Sequence, residues 1–102
     1  MAASARPPYF IAFFTIAYAS VEEAKADAPD LIAAHIARSR EMHRRGTLLM
    51  AGAFVGDSEG PLRTMAIFTS RDAAEEYAMG DPFVMEGKVT DWHVREWGSI
   101  LG

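Results

Sequence analysis

The chain contains no cysteine, which excludes a disulfide framework and any thiolate chemistry and fits a reducing cytoplasm. It also lacks a basic excess. Ten Lys and Arg stand against 14 Asp and Glu, a net charge of -4, which argues against nucleic acid or an anionic membrane as partner. No apolar run approaches the ~20 residues needed to cross a bilayer. Internal repeats, linkers and low-complexity segments are absent too. What is present is 102 residues, 50% hydrophobic and 24% charged, the balance of one soluble, cytoplasmic domain with a single modest core. The aromatic content suggests that surplus apolar surface is buried in an oligomer, with a homodimer the expected partner state.

The N-terminal segment MAASARPPYFIAFFTIAYAS superficially resembles a secretory leader, with Arg6, an apolar run and an Ala17-Tyr18-Ala19 triplet. Against that, Pro7 and Pro8 follow the lone Arg, and the run is rich in Phe and Tyr rather than Leu and Ala. Residues 9–18 read instead as a buried strand preceded by a flexible tail over residues 1–8. Tyr9, Ile11 and Phe13 line one face and Phe10, Ala12, Phe14 and Ile16 the other, so the strand must be covered on both sides.

Ser20 and Glu23 then have the spacing of a capping box, and Pro29 is tolerated only in a first helical turn. The principal helix is expected from about Asp30 to Arg45, ending at Gly46. TLLMAGA (47–53) and TMAIFT (64–69) read as strands around a turn-rich loop over 55–63. Ser70 can cap a helix whose Ala73, Ala74, Tyr77 and Ala78 share a face. Gly80 ends it, Asp81-Pro82 forbids its continuation, and Val89 to Trp97 is the last strand. The order β-α-β-β-α-β is that of an α+β, ferredoxin-like fold with an antiparallel sheet and both helices on one face. The other sheet face then needs a partner, which a doubly apolar first strand supplies by face-to-face dimerisation.

In the principal helix, Leu31, His35, Ser39 and Met42 fall in one quadrant, with Ile32, Ile36 and His43 beside it. Arg38, Arg40, Glu41, Arg44 and Arg45 occupy the opposite, solvated side, with Glu41 paired to the arginines. His35 is therefore screened from bulk water. It is either a core histidine bonded to a backbone carbonyl or a sheltered functional group. His43, in the last turn, reads as a partner of the helix dipole or a surface residue. His35 and His43 are two helical turns apart, whereas chelation from one helix needs the i, i+4 spacing. His93 could join them only by tertiary accident, so no metal is expected.

Asp81 is pinned between a helix-ending Gly80 and Pro82, directly before the apolar Phe83, Val84 and Met85. Such a carboxylate is a structural turn-former or a positioned functional group. Hydrogen-bonded to an imidazole, it would fix the tautomer and equip the pair for general acid/base work. Ser39, one turn after His35, either contacts a substrate or bonds the i−4 carbonyl. Asp91, His93 and Arg95 alternate on one strand face, as a pocket wall or a solvated edge.

The ordered combination of an aromatic first strand, His35 eleven residues before Gly46, Gly46-Thr-Leu-Leu-Met-Ala-Gly52, Asp81-Pro82-Phe83, Gly87 and a closing strand ending at Trp97 resembles the YciI-like (YCII-related) family. The resemblance runs from about Tyr9 to Trp97. It implies a ferredoxin-like protomer of the dimeric α+β barrel class and an active site built on His35 and Asp81; Ser39, Phe83 and His93 are the candidates for substrate contact. Ile32 stands where the family often has Arg, and Ala53 where Pro often follows the second Gly, which weakens any carboxylate clamp near His35. The resemblance further implies a cofactor-independent lyase or isomerase acting on an unknown small molecule. Set against it is a non-catalytic dimeric module for a ligand or a partner protein, in which the His–Asp pair serves structure.

Overall fold

The computed structural model describes residues 8–56 and 60–101. Apart from Pro8, the tail expected over residues 1–8 lies outside them, as do residues 57–59 of the expected loop. The elements run β1 (Tyr9–Ile16), α1 (Val21–Asp27), α2 (Pro29–Arg44), β2 (Leu48–Ala53), β3 (Leu62–Phe68), α3 (Arg71–Gly80), α4 (Pro82–Met85) and β4 (Val89–Trp97). The strands form one antiparallel sheet in the order β2-β3-β1-β4, the ferredoxin-like arrangement. No helix among the described residues is long and apolar enough to cross a membrane.

Local chemistry sets most boundaries. The Ser20 hydroxyl accepts from the Glu23 N–H at 3.1 Å, while the Glu23 carboxylate accepts from the Ala19 N–H at 2.9 Å. The box thus closes one residue earlier than its usual form. Ala28 ends α1 and starts α2, with Pro29 at a first-turn position where its missing N–H leaves no bond unmade. Gly46, at φ +86°, terminates α2. Its N–H donates to His43 O, and that of Thr47 to Met42 O, the two bonds of a Schellman motif.

Phe10, Ala12, Phe14 and Ile16 of β1 face the helices, in register with Phe68, Ala66, Thr64 and Leu62 of β3. Here α3 packs as its pattern predicts, with Ala73, Ala74, Tyr77 and Ala78 all buried. The Tyr77 ring meets Phe68 at 5.1 Å and, edge-on, Phe14 at 5.9 Å between centroids, contacts that add to area burial. In contrast, Met42 is the one buried residue of α2. Of the expected stripe, Leu31 and Ile32 pack half-buried against the core, while Ile32, His35, Ile36 and Ser39 turn toward a gap. Facing it are small residues, among them Ala51, Gly52 and Ala66, and they leave a cavity of about 320 Å³ between helix and sheet.

One sequence expectation is corrected here. β3 begins at Leu62, inside the stretch read as loop. The segment after Asp81, for which the sequence assigned no element, is a short helix, α4, capped by the Asp81 carboxylate.

Candidate functional site

Asp81 leaves α3 in an extended conformation (φ −67°, ψ 134°), the one that a following proline favours. Its Oδ2 accepts from the Phe83 N–H at 2.9 Å and the Val84 N–H at 3.4 Å, capping α4. Its Oδ1 lies 2.6 Å from His35 Nδ1. The carboxylate is only 4% exposed, and both oxygens are satisfied. The contact engages Nδ1 of the imidazole and leaves Nε2 as the ring's second nitrogen.

The imidazole is braced on its flanks as well. Phe83 meets it edge-on at 5.8 Å and Tyr77 at 6.1 Å between centroids. His35 and Phe83 both line the cavity, together with the apolar Phe14, Ile32 and Leu62. The His35 side chain remains 33% exposed. The sequence reading had it screened from water; the gap between α2 and the sheet opens it to the cavity instead. A ring fixed in orientation by Asp81, its second nitrogen without a hydrogen-bond partner among the described residues, can exchange a proton with a molecule bound in the cavity.

Ser39 does not bond the i−4 carbonyl. Its hydroxyl lies 2.9 Å from the Tyr77 hydroxyl, and both residues wall the cavity. Burial pushes the Tyr77 phenol up to about 12. Sequence reasoning placed Tyr77 in the core and missed its hydroxyl; the available signal was one tyrosine in an otherwise all-Ala buried face. His43 is structural, donating from Nδ1 to Leu48 O at 2.8 Å and tying the end of α2 to β2.

His93 falls elsewhere. β4 pairs with β1 so that His93 stands opposite Phe13, and the two rings stack at 5.2 Å. Phe13 alternates with the helix-facing Phe14, so Asp91, His93 and Arg95 lie on the sheet face away from His35. As contributors to the pocket wall they are set aside for this protomer. Arg38, assigned to the solvated side, instead reaches α3, donating to Tyr77 O at 2.8 Å and Glu76 O at 2.7 Å.

A ferredoxin-like α+β protomer with a His–Asp pair in the wall of an apolar cavity is the class that fold and site define. The chain belongs to the YCII-related domain family, whose pattern matches residues 12–98. Among solved structures it is similar to the 5-chloro-2-hydroxyhydroquinone dehydrochlorinase TftG from Burkholderia phenoliruptrix AC1100, in complex with 2,5-dihydroxybenzoquinone. That likeness has 18% identity and a TM-score of 0.61, over 87% of this chain and 93% of that one. It is also similar to Rv0793 from Mycobacterium tuberculosis, with 14% identity and a TM-score of 0.55, over 93% and 97% of the two chains. At such identities the likeness is one of fold. No curated protein matches the chain.

Proposed function

We propose that the protein is a cofactor-independent enzyme of lyase or isomerase type, acting on a small, largely apolar molecule by proton transfer at His35. The observation that carries this reading is the 2.6 Å contact between His35 and a buried Asp81 in the wall of the cavity. His35 Nε2 takes a proton from the substrate and returns it. Asp81 holds the tautomer and stabilises the imidazolium, and such a positioned base typically supplies about 10²–10⁴-fold. The dehydrochlorinase similar in fold is complexed with a small quinone, a ligand size that suits a cavity of about 320 Å³.

The test is a substrate screen on wild type followed by His35→Asn and Asp81→Asn. The expected result is turnover lost by two or more orders of magnitude in His35→Asn, with thermal unfolding little changed. Unfolding of the variant together with no turnover in the wild type would favour a structural pair in a binding module. The same reading takes the described fold as one domain, paired with a second copy through the open sheet face, where Ile11, Phe13 and Ile67 lie in register.

A further inference from the structure

The acid–base pair leaves one feature of the cavity unused. Ser39 and Tyr77 carry two hydroxyl protons, and the 2.9 Å bond between them consumes one. Among the described residues neither oxygen has another hydrogen-bond partner, so one O–H remains to be donated. Both residues line the cavity. Ser39 is one helical turn beyond His35, which makes the two side chains neighbours about 5–6 Å apart at Cβ. The Tyr77 ring lies edge-on to the imidazole at 6.1 Å. Base and spare donor therefore sit side by side in a wall that also holds the apolar Phe14, Ile32, Leu62 and Phe83, with Lys25, Arg40 and Thr64 on its lining as well.

We infer that the Ser39–Tyr77 hydroxyl pair is an oxygen-binding subsite, and that the cavity takes an enolisable carbonyl compound, such as a small ketone or ester, with its carbonyl oxygen on this pair and the neighbouring C–H at His35. The inference rests on the acid–base reading of His35 and Asp81, and names the substrate class for it. The step balances. The C–H bond breaks, the proton goes to Nε2, and the electron pair moves onto the carbonyl oxygen as an enolate. Return of the proton to another carbon of the same conjugated system gives an isomer. Alternatively, expulsion of a β-substituent with that electron pair gives elimination. Negative charge develops at the oxygen only during the step, which is where a preorganised donor in an apolar wall has most effect. Burial keeps the Tyr77 phenol protonated across the neutral range, so the donor persists.

The test compares two probes of nearly the same shape, para-fluoroacetophenone and its ethyl analogue without the carbonyl oxygen, by fluorine NMR titration. The ketone is expected to bind about three- to tenfold more tightly, the worth of one net hydrogen bond. The double variant Ser39→Ala/Tyr77→Phe should erase that preference while leaving the hydrocarbon's affinity within about twofold, whereas either single substitution still leaves one O–H to donate. Equal binding of the two probes, no binding of either, or a preference that survives both substitutions overturns the subsite. Should the double variant melt early, the probe comparison on the wild type decides alone, equal binding overturning the subsite. In heavy water, wild type should also exchange the ketone's methyl protons, and His35→Asn should not. Exchange without ketone preference sinks the subsite and leaves the dyad standing. Ketone preference without exchange supports the subsite and sinks the dyad.

Discussion

Tyr77 joins three parts of the site: its ring packs on Phe68 and Phe14, flanks His35, and its hydroxyl meets Ser39. Burial raises its phenol to about 12 against 10.0 in an exposed chain. In the unfolded chain the group loses its proton near pH 10, whereas the folded protein holds it until about 12. Stability from this residue is thus complete below pH 10 and is lost as pH rises through that window. The loss amounts to at most about 3 kcal/mol. Urea unfolding at pH 9 and 11 should show a steeper fall for wild type than for Tyr77→Phe; parallel falls would refute the assignment. At this scale the sequence is half legible. Asp81 could be singled out because its restraints, Gly80 and Pro82, are its chain neighbours. Tyr77 could not, since its partner Ser39 lies 38 residues away and a hydroxyl leaves no periodic trace.

Between elements, the join of α2 to α3 depends on a residue with no side chain. The Arg38 guanidinium spans the carbonyls of Glu76 and Tyr77 at the end of α3, with its charge at the negative end of the helix dipole. A Cβ on Gly80 would come within 2.9 Å of the guanidinium carbon. Gly80→Ala gains about 1 kcal/mol of helix propensity, but it displaces two charge-assisted bonds, each worth about 1.5 kcal/mol or more. The substitution should therefore destabilise the wild type and stabilise an Arg38→Ala variant. Thermal unfolding of the four proteins in this cycle checks it, and the same sign in both backgrounds would dismiss the Arg38 clamp. Element positions and most caps were legible, because Ser20, Pro29, Gly46 and Ser70 act on adjacent backbone. The stand-off of α2 was not, since an amphipathic stripe reads alike whether it faces a packed sheet or a hollow over Ala51, Gly52 and Ala66.

For the whole molecule, the helices cover one face of the sheet and leave the other bare. Met50 and Trp97 are 68% and 49% exposed, and Tyr9, Ile11, Phe13 and Ile67 share the face away from the helices. Asp91, His93 and Arg95 share this face along β4; exposed apolar side chains of this size on a sheet face are a common mark of an interface, and a second copy offers a matching surface. Wild type should sediment as a dimer at micromolar concentration, and Ile67→Glu should shift it to monomer without unfolding it. A wild-type monomer would rule the assembly out. The expectation came from a first strand apolar on both faces, a signal that survives in the sequence because alternation along a strand is a local property.

What the sequence determined by itself is what neighbouring residues enforce: caps, turns, strand alternation, and through their order a ferredoxin-like sheet carrying His35 on one helix and Asp81 before another. Tertiary structure alone decided which of these groups meet. It brought His35 to Asp81 across 46 residues, put His93 on the far face, lent Arg38 to α3, and joined Ser39 to Tyr77. The physical reason is that hydrogen bonds and cavities depend on positions fixed to fractions of an ångström. Those positions follow from how helices seat on a sheet, and a one-dimensional pattern records the faces but not the gap between them.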